Sequence, residues 1–242
     1  MITSTIPRSI QIFPRGTLSI KAKFVHQSPL AKFHHPNAIC NKTQVELGDI
    51  LFVVKRKRSG QLFDHRSCFS QVKLSSPQGW MITPHQFKFM SGFRDIQFYF
   101  SKTVGALAGG HPNLWRLKTN SDWFQSFLLL QSSNQNSISC TPERISNYYA
   151  QHCKPFHVTA LNLRKRGGIF NFDEFVYYFL NGSGRIGANL KTGIEEKSLI
   201  ELFYKMANWA IDPPHEFEGY EYGERGFGIV EFTILQEQGP ER

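Results

Sequence analysis

Two β-rich stretches joined by a short turn carry polar side chains where a buried strand would ordinarily be apolar. The stretches are DILFVVKRK (49–57) and RSCFSQVKLSS (66–76), and the turn sequence RSGQ (58–61) begins between them. This pattern predicts a β-hairpin with a basic tip. Side chains two residues apart on a strand share a face, so Gln71 and Lys73 place an amide and an ammonium side by side. Such a face is either solvated or takes part in binding or chemistry.

The hairpin also brings carboxylates to the same place. Antiparallel pairing sets the start of the first strand beside the end of the second, so Asp49 is expected close to Gln71 and Lys73. Glu46, three residues earlier at an expected helix end or turn, can reach the same spot. Carboxylates, the amide oxygen of Gln71 and the carbonyl of Val72 are oxygen ligands of the kind that Mg²⁺ prefers.

Lys73 supplies the remaining chemistry that such a cluster needs. An ammonium beside a metal-binding carboxylate can orient or help deprotonate a water molecule, and it stabilises negative charge that develops on phosphorus. The residues around the hairpin therefore predict a site that cuts phosphodiester bonds. The alternative is a surface hairpin in which Asp49 caps a turn and Lys73 extends its charged end into water.

The order of these motifs resembles the PD-(D/E)XK nuclease superfamily. GD (48–49), a hairpin, QVK (71–73), a helix and a strand follow one another, as in the branch with a QxK third motif that Mrr-type restriction endonucleases typify. The resemblance implies a metal-dependent endonuclease that uses Mg²⁺ or Mn²⁺ and acts on nucleic acid, with DNA expected. It implies that the catalytic residues are Asp49, Gln71 and Lys73, and that the metal ligands are Asp49, Gln71, Val72 and Glu46.

Two departures from the family pattern bear on activity. Gly48 replaces the proline of the family's name, which is a minor variation. Gln71 replaces the usual acidic residue and removes a formal charge from the metal site, unless Glu46 restores it. By family analogy, the enzyme would serve prokaryotic defence as a restriction enzyme or an anti-phage effector.

Strand and helix patterns are mixed along the whole chain, which predicts an α/β or mixed α+β fold. A helix is expected after Thr83 and Pro84, and further helices at 36–46, 171–182 and 195–211. Strands are expected at 95–101, 122–131, 155–163 and 226–235. The resemblance implies a restriction-endonuclease-like core in which helices flank a central mixed β-sheet, and this core needs one more strand before Asp49. The predicted division is an irregular or β-rich lead-in at 1–33, the nuclease core at 34–101 and an α+β extension at 102–242, packed on the core or continuing it.

The charge of the chain favours a polyanionic partner. Its formal net charge is +9 and its pI is about 9.4, and such a surplus attracts nucleic acid. The residues expected to contact phosphates are those of the basic run and two on the following helix: Lys55, Arg56, Lys57, Arg58, Gln86 and Lys88. The alternative for the basic run is a solvated hairpin end.

Other classes of protein find less support. The sequence has no run of 18 apolar residues and no apolar core near its start, so we expect neither a membrane span nor a signal peptide, and a cytoplasmic location by default. The four cysteines are scattered and suggest neither a zinc site nor a disulfide framework.

Two other functions stay open: a nucleic-acid-binding protein with a decayed nuclease site, and a regulatory or interaction subunit that works with a protein partner. A homodimer would suit the cutting of both DNA strands.

Overall fold

The protein has a mixed α+β fold built on a large mixed β-sheet. The computed structural model describes residues 16–26, 30–34, 44–46, 48–91, 97–100, 115–116, 124–131, 137–145, 154–160, 163, 169–182, 186–192, 194–206 and 226–236. The strands in this part of the chain are β1 (Gly16–His26), β2 (Leu30–His34), β3 (Gln44–Glu46), β4 (Ile50–Arg58), β5 (Gln61–Ser76), β6 (Gly79–Ile82), β7 (Gln97–Phe100), β8 (Trp115–Arg116), β9 (Gln125–Leu130), β10 (Ile138–Cys140), β11 (Phe156–Val158), β12 (Ile169–Asn171), β13 (Ala188–Asn189) and β14 (Gly226–Gln236). The α-helices are α1 (Pro84–Ser91), α2 (Phe172–Asn181) and α3 (Ile194–Met206).

Within the described residues the larger sheet has ten strands. Its main order is β1-β14-β4-β5-β9-β10-β12, while β6 pairs with β5 and β11, and β13 pairs with β5. The pairs β14–β4 and β5–β9 are parallel, and the other neighbours are antiparallel. A second, antiparallel sheet has the order β3-β2-β7-β8.

The large sheet takes strands from the lead-in, the predicted core and the predicted extension alike. On its side away from β5, β4 pairs with β14. The nuclease-like core was expected to have a strand from shortly before Asp49, and no such strand pairs with β4 among the described residues. The strand parallel to β5 is β9, whereas β7, which directly follows α1, belongs to the smaller sheet. The strands β14 and β9, which flank the hairpin in the main order of the sheet, are therefore distant from it in sequence.

The predicted hairpin is confirmed. β4 and β5 pair antiparallel from Ile50 opposite Ser70 to Arg58 opposite Gln61. Ser59 and Gly60 connect them, with positive φ angles of 50° and 78°. Positive φ at both central residues is the geometry of a type I′ turn, whose twist matches that of the paired strands.

The predicted helices fared differently. α2 has a capping box, in which Asn171 accepts from the Glu174 amide, and it ends at Gly182 in the left-handed conformation. The described part of the predicted helix at 195–211 is α3. The helix expected at 36–46 is wrong for Gln44–Glu46, which form β3; residues 35–43 lie outside the described part. Val45 is buried in β3 opposite Ala31, so strand pairing decides a segment in which the helical pattern was weak.

Hydrophobic clusters cover both faces of the large sheet. Leu51, Val53 and Phe69 belong to one cluster, together with residues of α1 and α3. The alternate side chains Phe52, Val54 and Cys68 belong to the other, together with residues of α2. Strands buried on both faces read as continuous apolar runs, which explains the strong β pattern at 49–54. No helix in the described ranges is long and apolar enough to cross a membrane.

Candidate functional site

The end of the hairpin brings Asp49 next to Ser70 and Gln71. The regular pairing of β4 with β5 ends where Ile50 faces Ser70. The Asp49 amide donates to the Ser70 carbonyl at 2.9 Å, one residue off that register, so Asp49 lies just beyond the regular ladder. Gln71 is on the same face of β5 as Phe69, because side chains two residues apart on a strand share a face.

The Asp49 carboxylate is held from two sides. Its Oδ2 accepts hydrogen bonds from Gln71 Nε2 and from the Val72 amide, the latter at 2.7 Å. Burial raises the pKa of Asp49 to about 6, although the Val72 hydrogen bond and the charge of Lys73 oppose the rise. The structure therefore brings Asp49 and Gln71 together as the sequence predicted, and it does so in a desolvated place.

Gln71 has an oxygen without a partner. The residue is only 2% exposed, and its Oε1 is buried with no hydrogen bond in the described part of the protein. A buried acceptor left unsatisfied costs about 1–3 kcal/mol, so such an oxygen is suited to bind a cation or a water molecule. The carbonyl of Val72 points to the same side of β5 as its amide, and that amide binds Asp49.

These oxygens fit a hard divalent cation. The donor set would comprise the carboxylate of Asp49, the free Oε1 of Gln71 and the Val72 carbonyl, all of them oxygen ligands of the type that Mg²⁺ and Mn²⁺ take. Glu46 adds a second carboxylate nearby, since its charge raises the pKa of Asp49 further. Glu46 lies in β3 of the smaller sheet, and the expectation that it sits at a helix end or turn is wrong.

Lys73 lies two residues beyond Gln71 on the same face and points to α1. Its Nζ donates to Gln86 Oε1 at 2.7 Å. Burial lowers the pKa of Lys73, against the opposing influence of Asp49 and Glu46. Gln86 was expected to contact phosphate. In the structure its side chain accepts a hydrogen bond from Lys73, so it lies next to a catalytic candidate.

The basic run does not reach this site. Lys55 pairs with Glu231 at 2.7 Å, and Arg56 pairs with Asp64 at 2.7 Å, so both are engaged within the fold. Lys57 is half-buried and Arg58 is exposed at the hairpin tip. These residues lie six to nine positions along β4 from Asp49, which is roughly 20–30 Å. Lys88 is half-buried on α1, and a phosphate contact for it and for the run stays a prediction.

One buried charged cluster was missed by the sequence reading. Glu231 on β14 accepts hydrogen bonds from Lys55 Nζ at 2.7 Å and from the Tyr204 hydroxyl at 2.5 Å. The sequence held a signal for it, because Glu231 follows Phe227 and Ile229 at intervals of two residues and so shares their face of the strand. A carboxylate in the apolar phase of a strand predicts a buried, partnered charge.

Comparisons with protein-family models, with curated proteins and with solved structures find no match for this chain. The similarity to PD-(D/E)XK nucleases therefore depends on the order of Asp49, Gln71 and Lys73 along the sequence. The hydrogen bond between Gln71 and Asp49, and the electrostatic influence of Asp49 on Lys73, are the further basis for proposing a function.

Proposed function

We propose that the protein is a metal-dependent nuclease of the PD-(D/E)XK type, with a restriction-endonuclease-like core and with DNA as the expected substrate. The observation that carries the proposal is the pairing of Asp49 with Gln71, whose Oε1 is buried without a partner, next to a half-buried Lys73. A role in prokaryotic defence follows by analogy with the family alone.

The chain would hold Mg²⁺ or Mn²⁺ with Asp49, the Gln71 Oε1, the Val72 carbonyl and Glu46. When bound, such a cation polarises a phosphoryl oxygen and lowers the pKa of a bound water. Asp49 is pre-positioned for this task by the Val72 amide and Gln71 Nε2, which leave its Oδ1 without a hydrogen bond among the described residues.

Lys73 would act on the scissile phosphate and on the attacking water. Its ammonium stabilises the charge that develops on the phosphoryl oxygens, in a place where little water screens it. Because burial lowers its pKa, Lys73 also gives up a proton more readily than an exposed lysine and can accept one from water. Both roles need the Lys73 Nζ to stay close to Asp49 and not to extend into solvent; the first uses the charged ammonium and the second the neutral amine.

The test is cleavage of supercoiled plasmid, single-stranded DNA and RNA in Mg²⁺, Mn²⁺ or EDTA. We expect cutting that requires the metal and that falls at least about 100-fold in Lys73→Ala and Asp49→Ala, because each removes a group acting in the transition state. Lys197→Ala is the matched control, since Lys197 is an exposed lysine paired with Glu201 on α3. Wild-type protein that leaves all three substrates intact, or cutting that survives EDTA, would refute the proposal.

A nucleic-acid-binding protein with a decayed site is the second candidate. The Gln71 amide donates directly to Asp49, so the carboxylate has a neutral partner where the family has a second acid. This function predicts DNA binding that is indifferent to EDTA and to Asp49→Ala, without cutting. Binding titrations at two salt concentrations, run beside the cleavage assay, separate the two candidates.

A further inference from the structure

We propose that Gln86 is a positioning residue that sets the direction of the Lys73 ammonium, an inference that rests on the proposed nuclease function. The Lys73 Nζ donates to Gln86 Oε1 at 2.7 Å, which is the hydrogen bond of this ammonium within the described part of the chain. Among the described residues Lys73 makes no ion pair within 4 Å, although Asp49 and Glu46 both influence its pKa. An amide oxygen, and not a carboxylate, therefore fixes where this charge lies.

Gln86 is itself held in place. At the start of α1, Thr83 Oγ1 donates to the side-chain Oε1 of Gln86 and accepts from the backbone amide of Gln86, both at 3.4 Å. The next residue, Phe87, is buried and packs edge-on against Phe156 with ring centroids 5.9 Å apart. The helix thus carries the amide oxygen to Lys73 on a fixed support, which is what a precisely oriented group requires.

A neutral acceptor suits this position better than a carboxylate. A carboxylate at the same distance would pair with the ammonium and compete with phosphate for it. An amide oxygen binds the ammonium and leaves its full charge available to a phosphoryl group. It also keeps Lys73 from pairing with Asp49, whose carboxylate the cation requires.

The positioning role and a phosphate contact make different kinetic predictions. A group that only orients Lys73 acts in the transition state, so its loss lowers kcat and leaves KM and DNA affinity in EDTA unchanged. A group that contacts substrate phosphate contributes to binding, so its loss raises KM and weakens affinity. Gln86 is half-buried, so both roles are open to it on exposure alone.

The experiment compares the wild-type 242-residue chain with Gln86→Met and Gln86→Asn over a range of DNA concentrations up to saturation. Methionine keeps the shape without the acceptor, and asparagine keeps the amide but withdraws it by one methylene. We expect kcat to fall about 10–100-fold in both variants, with KM and EDTA binding within twofold of wild type and thermal melting unchanged. Gln78→Met, at an exposed glutamine in the turn after β5, is the matched control and should cut at the wild-type rate.

A double-mutant cycle identifies the route of the effect. If Gln86 acts through Lys73, Gln86→Met should cost no additional rate in a Lys73→Ala background. Additive losses, an unchanged kcat, or a raised KM at wild-type kcat would each overturn the positioning role while leaving the nuclease function intact. A wild-type chain that cuts nothing would overturn both the nuclease function and this role.

Discussion

At the scale of single residues, Asp49 is a carboxylate that the fold holds at a cost. Burial raises its pKa from 3.8 to about 6. A carboxyl group with a raised folded-state pKa favours folding below its unfolded-state pKa, and this contribution is lost as the pH rises through about 6. The ionised Asp49 therefore destabilises the fold at neutral pH, by at most about 3 kcal/mol for a shift of this size.

Replacing Asp49 by asparagine should stabilise the protein at neutral pH. Asparagine keeps an oxygen for the Val72 amide and removes the buried charge, so we expect a gain of about 1–2 kcal/mol at pH 7.5 that disappears near pH 4. Urea unfolding in EDTA at pH 4, 5.5 and 7.5 measures it. Asp173→Asn, at an exposed carboxylate of α2, serves as the control. A gain that is absent, or equal at every pH, would contradict the desolvation of Asp49.

The proximity of Asp49 to Gln71 was predictable from the hairpin, whereas the register between its strands and the contacts to it from elsewhere were not. A bulge or irregularity within the hairpin, which no sequence pattern predicted, shifts the pairing by one residue from the register that the two-residue turn sets. The contact of Lys73 with Gln86 depends on how α1 packs on the sheet, which no local pattern states. For the same reason the sequence suggested a phosphate contact for Gln86 and not its contact with Lys73.

At the scale of elements, the Glu231 cluster joins β14, β4 and α3. Glu231 is 5% exposed and accepts from Lys55 and Tyr204, while the Lys55 ammonium lies 5.1 Å from the Tyr204 ring centroid. His65 is opposite Lys55 in the register, and burial together with the charge of Lys55 lowers its pKa to about 4. The cluster therefore ties a central parallel pair of strands to the helix above it.

Breaking this cluster on one side should destabilise the fold strongly. Lys55→Met leaves Glu231 buried without its cation, so we expect a loss of about 3 kcal/mol in the free energy of unfolding. Lys55→Met combined with Glu231→Met should recover most of that loss, because no charge then stays buried. Urea unfolding of the single and double variants tests this, with Arg58→Met at the exposed hairpin tip as control. Equal losses in the single and double variants would show that the unpaired charge of Glu231 is not the cause of the destabilisation.

Elements with local signals were predictable to within a few residues. α2 has both its capping box and its terminal glycine in the sequence, and the structure has the helix at Phe172–Asn181. β3 had no such signal, because Gln44–Glu46 are a strand only through pairing with β2. Short strands of this kind depend on tertiary partners more than on their own propensities.

At the scale of the whole molecule, the hairpin is enclosed by strands from distant parts of the chain. β1 pairs with β14 along all of its residues, and β14 then pairs in parallel with β4. β9 flanks β5 on the other side. No sequence pattern predicted these pairings, since strand order in a sheet is set by packing between segments far apart along the chain.

This arrangement predicts that residues 34–101 do not fold alone. In that fragment β4 would lose β14 and β5 would lose β9, exposing the backbone of two central strands and the apolar cluster around Leu51 and Phe69. We expect circular dichroism and amide NMR spectra typical of an unfolded or aggregating chain, beside a folded full-length protein. A dispersed NMR spectrum and a cooperative thermal transition for 34–101 would mean that the hairpin and its site form an independent domain, to which the remaining strands of the sheet are added.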